Sequence, residues 1–139
     1  MDILTFSLLE DKLKKLIKQK CKLNLSQARL LLYFINTNNT KIAMGPLAKK
    51  LNISLSTLSR QINQTQTLNL LDLEHSKTNS SKFLCLNKKG LVQAEVLTKL
   101  LKEIQAQLVK QFGEETLSGF QKQLDTIFII LSKVEGYYI

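Results

Sequence analysis

The stretch NISLSTLSRQINQT, residues 52–65, places small polar side chains within an apolar pattern of helical period. It contains three serines, two threonines, one arginine, two glutamines and two asparagines, and neither aspartate nor glutamate. Leu55, Leu58 and Ile62 recur at the spacing of one helical face, so the stretch predicts an amphipathic helix with Ser54 as its N-cap. The other face of this helix would present hydroxyl, amide and guanidinium groups to its surroundings.

The segments around this stretch predict a helix-turn-helix that is followed by a β-hairpin. MGPLAKKLN, residues 44–52, is typical of a short helix with Pro46 in its first turn, where the missing N–H leaves no bond unmade. Asn52 tolerates the left-handed backbone that a sharp turn requires. Alternating side chains predict strands over residues 71–74 and 83–86. This order is that of a winged helix-turn-helix, whose second helix enters the major groove of DNA.

Apolar residues at helical spacing predict further helices over residues 2–20, 25–35, 91–112 and 116–134. We expect Ser26 to cap the second of these and Asn87 to cap the third, and we expect the helix that starts after Ser54 to end at Asn69. The segment IFIIL, residues 127–131, is too apolar to remain in water, which indicates burial against a second chain.

Charge is distributed unevenly along the chain, whose formal net charge is +9 at pH 7. Between Lys12 and Leu71 there are nine lysines, two arginines and no acid, whereas residues 91–139 carry five lysines and six acids. Such a field suits a polyanion, because neutralising phosphates releases condensed counterions. A helix between two phosphate backbones also excludes carboxylates, while hydroxyls, amides and the fork of Arg60 can reach phosphates and base edges. Leu55, near the start of this helix, can either pack inward or contact a thymine methyl group. A solvated lysine-rich surface is the alternative that net charge alone leaves open.

The composition argues against an enzyme and against a metal site. The chain has no glycine-rich phosphate loop, nucleophile elbow or cluster of His, Asp and Glu, and we expect no cofactor. Its two cysteines form no Cys-x-x-Cys pair and it has one histidine, so a zinc site is poorly supported. Cys21 is a candidate redox-sensing thiol, since Lys18, Lys20 and Lys22 would lower its pKa if they were close. An inert buried thiol is the alternative for Cys21 and Cys85.

The N-terminal residues and the hydropathy pattern bear on location. The acid at position 2 and the short apolar run after it do not fit a secretory signal. No stretch approaches the roughly 18 uninterrupted apolar residues of a membrane span. We therefore expect a soluble, cytoplasmic protein of one domain, since 139 residues suffice for one core.

The ordered segments together resemble the core of the MarR-type regulators, including the SarA-like branch. The segments that carry the resemblance are LSQARLLL (25–32), LAKKLNISLSTLSRQI (47–62), LNLLDLE (68–74) and LNKKG (86–90). The resemblance implies a mainly α fold with a small β-hairpin wing, in which residues 25–90 form a winged helix-turn-helix lobe and residues 1–24 and 91–139 form dimerisation helices. It implies a homodimer that binds inverted repeats in double-stranded DNA, typically as a repressor, with relief by a small-molecule effector or by thiol oxidation.

The resemblance also assigns a face for DNA contact. On the recognition helix, the residues implied are Ser56, Thr57, Ser59, Arg60, Asn63 and Gln64. The neighbouring Lys49, Lys50 and Ser54 are further candidates. The residues implied at the wing are Lys77, Thr78, Asn79, Ser80 and Lys82. The wing of the family usually holds an Asp-x-Arg pairing, which TNSSK at residues 78–82 replaces. Because lysine lacks the planar fork of arginine, we expect a floppier wing and weaker minor-groove readout.

A dimeric protein-interaction module with a winged-helix fold and little or no specific DNA binding is the competing interpretation. The altered wing favours it. The acid-free first half and the polar face argue against it, since protein partners more often require apolar or aromatic anchors. Single-strand recognition is poorly supported, because it uses aromatic stacking platforms and Tyr33 and Phe34 belong to the predicted buried helix.

Overall fold

The computed structural model describes residues 1–77 and 82–137. Contacts divide the chain into two compact units, Met1–Leu100 and Leu101–Ile139. The elements in order are α1 (Thr5–Cys21), α2 (Leu25–Asn36), β1 (Ile42–Ala43), α3 (Met44–Lys50), α4 (Leu55–Ile62), α5 (Thr65–Leu68), β2 (Leu71–His75), β3 (Lys82–Leu86), α6 (Lys88–Phe112) and α7 (Glu114–Tyr137). This order confirms the predicted mainly α fold with a β-hairpin. The predicted division into a lobe and dimerisation helices stays a prediction.

A three-stranded antiparallel sheet with the order β1–β3–β2 lies in the first unit. β2 and β3 form the predicted hairpin, whose register runs from Leu71 opposite Leu86 to His75 opposite Lys82. The sequence did not predict β1, because two residues are too few to show an alternation. β1 forms by pairing with the far edge of β3, where Ile42 lies opposite Leu84.

The side chain of Asn39 continues this edge beyond β1. Its Nδ2 donates to the carbonyl of Leu86 at 3.0 Å, and the Leu86 N–H donates to its Oδ1 at 2.7 Å. The amide therefore replaces a peptide unit in the ladder and satisfies both backbone groups of Leu86. It ties the base of the hairpin to the segment between α2 and β1.

The core of the first unit contains side chains from α2, α3, α4, β3 and α6. Phe34 and Leu31 of α2 are almost fully buried, as the nearly all-apolar segment 25–35 predicts. Equally buried side chains from the surrounding elements are Leu47, Leu58, Leu84 and Leu97. Helix-turn-helix, sheet and α6 thus share one core, and the position of each depends on the others.

The N-cap of α2 is Asn24, so the prediction that Ser26 caps this helix was wrong. The Asn24 Oδ1 accepts from the N–H of Gln27 at 2.8 Å, and the Gln27 Oε1 accepts from the N–H of Asn24 at 2.9 Å. This capping box satisfies two free donors reciprocally, which a serine inside the first turn cannot do. The Ser26 hydroxyl instead donates to the Asn24 Oδ1.

The helix that starts after Ser54 ends at Ile62, so the prediction that it continues to Asn69 was also wrong. Gln64 is extended and separates α4 from the short α5, and Asn69 is right-handed, with φ −65° and ψ −14°. The interruption gives α5 an orientation of its own, in which Thr67 is buried. The Thr67 hydroxyl accepts from the Gln27 amide at 3.2 Å, a partner forty positions away that local spacing does not reveal.

The start of α6 is fixed by two residues of the LNKKG segment. Asn87 caps the helix as predicted, since its Oδ1 accepts from the N–H of Gly90 at 2.9 Å. Its Nδ2 donates to the carbonyl of Asn69 at 2.9 Å, which joins the cap to the start of β2. A Cβ at Gly90 would lie 2.2 Å from the carbonyl oxygen of Leu70 and 3.1 Å from the Cβ of Leu86. Only glycine fits this close approach.

The second unit contains the last residues of α6 and the whole of α7, which follow one another through Gly113 at φ +83°. None of its described side chains from 101 to 136 is buried. Its large exposed apolar side chains are Leu108, Phe112, Phe120, Phe128, Ile129, Ile130, Leu131 and Val134. This unit therefore presents far more apolar surface than a protein usually leaves in water.

Both cysteines belong to the core of the first unit, since Cys21 is 2 % and Cys85 8 % exposed. Burial raises the pKa of the Cys21 thiol, the opposite of the lowering expected from its neighbouring lysines. Burial is also the largest cause that raises the pKa of Cys85, followed by the charge of Asp72. The environment of a reactive thiol is therefore absent at Cys21, and the inert alternative is the better supported one.

Replacement of Gly90 by alanine should lower the free energy of unfolding by about 1–3 kcal/mol, because the methyl group must displace the backbone at Leu70. Urea denaturation monitored by circular dichroism measures this. Gly45→Ala is the matched control, since a Cβ there meets no atom within 4 Å outside its chain neighbours and should change the free energy of unfolding much less. Equal stability of the two variants would contradict the described approach of α6 to Leu70.

The thiols should react slowly with iodoacetamide in the folded protein and rapidly after unfolding in urea. Their raised pKa values keep both protonated at neutral pH, and the reaction rate of the folded protein should begin to rise only at higher pH than that of a free cysteine. Peptide mass spectrometry gives the rate at each residue. Rapid modification of Cys21 in the folded protein would restore it as a redox candidate.

Candidate nucleic-acid interface

The turn between α3 and α4 is built by backbone hydrogen bonds around Asn52. This residue has φ +57°, which confirms the left-handed turn expected there. Its N–H donates to the carbonyl of Lys49 at 3.2 Å, and the next N–H, that of Ile53, donates to the carbonyl of Ala48 at 3.0 Å. These bonds satisfy the last carbonyls of α3 and fix the direction in which the chain enters α4.

Ser54 then caps α4, as predicted. Its Oγ accepts from the N–H of Thr57 at 3.1 Å. On the inward face of α4, Leu58 and Ile62 are only 1 % and 3 % exposed. Leu55, which shares their spacing and for which the sequence leaves inward packing open, is 54 % exposed, so the buried face of α4 begins at Leu58. α4 is held by its last two turns, and its first turn projects from the core.

A row of hydrogen-bonded polar groups follows the open face of α4. The Ser54 hydroxyl donates to the Thr57 Oγ1 at 2.8 Å, and Nη2 of Arg60 donates to the same oxygen at 3.3 Å. The guanidinium therefore extends towards the N-terminal end of the helix rather than away from it. One turn further on, the Nδ2 of Asn63 lies 3.5 Å from the hydroxyl of Ser59.

The structure leaves the predicted contact residues of the helix-turn-helix exposed or half-buried. Exposed members are Lys49, Lys50, Ser54, Ser56, Arg60, Asn63 and Gln64, and half-buried members are Thr57 and Ser59. Lys77 and Lys82 of the hairpin are exposed. Thr78, Asn79 and Ser80 lie outside the described residues. The floppier wing expected from the missing Asp-x-Arg pairing therefore stays a prediction.

The hairpin carries an ion pair that sequence reasoning missed. The Lys41 ammonium donates to a carboxylate oxygen of Glu74, which links the residue before β1 to β2. This hydrogen bond, assisted by the charge of Lys41, holds the pKa of Glu74 below its usual value, and the same partner raises the pKa of Lys41. The pair depends on β1, which was not predicted, so no signal in the sequence could have found it. Because both groups are exposed, its main effect is to neutralise an acid beside the basic surface.

Helix ends add to the positive field of the first unit. Among the described helices, α1 to α6 have no acidic residue in the first turn, whereas α7 has Glu114 and Glu115 there. The partial positive charge at each of these N-termini is therefore not offset by a side chain of the same turn. The acid-free sequence thus acts through helix dipoles as well as through lysines.

An open groove of about 480 Å³ lies beside the first turn of α4. Its lining residues are Ala43, Met44, Gly45, Pro46, Leu55, Ser59 and Lys82. These residues come from β1, the start of α3, α4 and β3. Sequence reasoning missed this groove, because it depends on the unpredicted β1 and on the exposure of Leu55.

The described residues offer little for a metal or a sizeable effector within the first unit. They contain no group of three or more His, Cys, Asp or Glu that could hold a metal ion. A hollow lined by Lys22, Gln27, Lys89 and their neighbours measures about 180 Å³. Ligand pockets typically begin at roughly 300 Å³, so this hollow is too small to be assigned as an effector site. None of the described helices is long and apolar enough to cross a membrane.

Comparison with known proteins gives a clear result only for three-dimensional structure. No protein-family model matches the sequence, and a search of curated proteins finds no significant match. Among solved structures, the chain is similar to the Staphylococcus aureus MepR–DNA complex, with a TM-score of 0.79 and 19 % identity over 94 % of this chain and 98 % of that one. It is also similar to Streptococcus pneumoniae FabT in complex with DNA, with a TM-score of 0.71 and 14 % identity over 94 % and 92 % of the two chains.

A third similar structure is AbsC from Streptomyces coelicolor, a MarR family transcriptional regulator. Its TM-score is 0.67, with 25 % identity over 91 % of this chain and 86 % of that chain. The sequence resemblance rests on residues 25–90. The structural similarity extends over almost the whole chain and so includes the helices outside that range. The chain therefore has the winged helix-turn-helix fold of the MarR-type transcriptional regulators, as its sequence pattern predicts.

Proposed function

We propose that the chain is a transcriptional regulator that binds double-stranded DNA as a homodimer at inverted-repeat sites. The observation that carries this proposal is the division of α4 into two faces. Leu58 and Ile62 are buried, and the opposite face presents Ser56, Arg60 and Asn63 with no carboxylate. Solved DNA complexes of two proteins with this fold, MepR and FabT, support the choice of DNA as the partner.

In this proposal α4 lies in the major groove. Arg60 donates its planar fork to a guanine edge or a phosphate, and the amide groups of Asn63 and Gln64 supply a donor and an acceptor each. Lys49 and Lys50, exposed at the end of α3, contact the phosphates that flank the groove. Hydroxyl groups of the first turn of α4 reach phosphates at short range.

In the same proposal, Lys77 and Lys82 of the hairpin contact the phosphate backbone of the DNA next to the major groove. Both are exposed, and they occupy the end of the hairpin remote from Asn87 and α6. A lysine ammonium contacts a phosphate as a point charge, without the planar fork that arginine offers. We therefore assign the hairpin to positioning and to affinity, and α4 to most of the sequence recognition.

Homodimerisation is proposed because the second unit cannot be stable in water as described. It has no buried side chain among its described residues, yet it carries large apolar side chains along α7, including Phe128 and Ile130. The first half of α1 also exposes apolar side chains, those of Leu8 and Leu9. A second copy would cover both kinds of surface, and a two-fold axis would give the inverted-repeat site.

Repression by occupation of a promoter site is the regulatory action we propose, with relief by a small-molecule effector. Burial of both thiols makes oxidation a poor signal for this chain, which favours an effector over a redox mechanism.

An Arg60→Ala variant should lose sequence selection from a random pool of double-stranded DNA. The wild-type protein should enrich an inverted repeat with half-sites roughly one helical turn apart. Loss of the guanidinium should cost about 1–3 kcal/mol of discrimination at one base pair in each half-site. The retained DNA is sequenced, and affinities for the enriched site are compared by fluorescence anisotropy.

Arg29→Ala is the matched control, because it removes the same charge from an exposed position on α2. It should keep the enriched motif. Uniform retention of all sequences would show general DNA binding only, and no retention at low salt would favour a protein-interaction module. Either result would refute the proposed function.

An Ile130→Asp variant should shift the protein from dimer to monomer in sedimentation velocity. Ile130 is exposed in the middle of the apolar part of α7, and a carboxylate buried at a dimer interface would lie unpaired. Ser118→Asp, an exposed polar position of the same helix, introduces the same group and should leave the dimer intact. A monomeric wild-type protein, or a dimer that tolerates Ile130→Asp, would contradict this assignment.

A further inference from the structure

We propose that Leu55 and the groove beside it receive the C5-methyl group of a thymine, and so make Leu55 a specificity-determining residue for one position in each half-site. This inference rests on the proposed function. It concerns a side chain that the polar face of the helix does not include. In the major groove, the methyl group is the feature that thymine alone presents, and it can be recognised only by apolar contact.

The first argument is the exposure of Leu55. It is the first residue of α4 and is 54 % exposed, while the two other apolar residues of its face are almost fully buried. N-terminal residues of a recognition helix are the ones that contact base edges. Ser54 and Ser56 flank Leu55 in the sequence and are exposed too, so the first turn of α4 presents this apolar side chain next to polar ones.

The second argument is the lining of the groove. Ala43, Met44 and Pro46 add apolar lining to that of Leu55, and the volume of about 480 Å³ is ample for a methyl group and the edge of its base. At Gly45 an added Cβ would meet no atom within 4 Å, so this part of the lining stays open. Apolar contact is therefore available to a methyl group from more than one side chain.

The third argument is the charge at the rim. Ser59 and Lys82 complete the lining, and they supply a hydroxyl group and an ammonium group but no carboxylate. A nucleotide fits this combination, since its methyl-bearing edge lies next to an anionic phosphate. Ser59 also belongs to the open face of α4, so the groove continues the proposed DNA surface. An apolar peptide or a second leucine-rich surface would gain nothing from the ammonium group.

The test removes the methyl group and nothing else. Each thymine of the selected site is replaced in turn by deoxyuridine, and affinities are measured for wild-type protein, Leu55→Ala and the control Leu91→Ala, which truncates an exposed leucine of α6. At one position in each half-site, deoxyuridine should weaken wild-type binding about fourfold, the equivalent of about 0.8 kcal/mol for one buried carbon. Leu55→Ala should weaken binding to the thymine site by a similar factor or more.

The combination of deoxyuridine with Leu55→Ala decides whether Leu55 contacts the methyl group. If Leu55 contacts the methyl group, deoxyuridine at that position should cause no further loss in Leu55→Ala, while Leu91→Ala should show the full wild-type loss. Losses that multiply independently, or no effect of deoxyuridine at any thymine, would overturn the methyl contact and leave the proposed regulator intact. Failure of the wild-type protein to select any site would overturn both.

Discussion

The burial of Leu58 and Ile62 is the contact on which the proposed interface depends. Truncation of either side chain to alanine would cost about 2–5 kcal/mol, so the rotation of α4 about its axis is determined by the core and not by its polar residues. Once that rotation is set, the direction of the Arg60 side chain follows from helical geometry. The turn at Asn52 and the cap at Ser54 set where α4 begins, and the core sets which way it faces.

A different set of contacts, made to backbone groups, holds the base of the hairpin in place. Asn39 holds Leu86 at one edge of β3, and Asn87 joins the carbonyl of Asn69 to the cap of α6. Gly90 lets the first turn of α6 approach the chain at Leu70. These amide and backbone contacts are short and directional, so they leave the base of the hairpin little freedom. Lys82, at the start of β3, is thereby brought to the same groove as Leu55.

The features that the sequence predicted correctly are those whose cause is local. Asn52, Ser54 and Asn87 each act on a backbone group within a few positions, so their residue types suffice to identify them. Two of the errors involve contacts between residues that are distant in the sequence. The break after α4 leaves α5 separate, with Thr67 bonded to Gln27 forty positions away, and β1 exists because β3 offers a free edge. The cap of α2 is local but was misassigned, because a reciprocal box competes better than a single hydroxyl group.

The residue types of the candidate interface could be predicted from the sequence, but the exposure of its individual side chains could not. The absence of acids from residues 52–65 indicated a polyanionic partner, whereas the exposure of Leu55 follows from where the core ends, which no spacing shows. This difference matters for how DNA would be read. Ammonium groups can position a duplex without distinguishing its bases, and the wing offers no arginine to the minor groove. Under the proposed function, sequence recognition would come from the first turns of α4, where the apolar side chain of Leu55 and the guanidinium of Arg60 lie within two helical turns. If the two groups contacted different base pairs, together they would restrict a half-site more than either could alone.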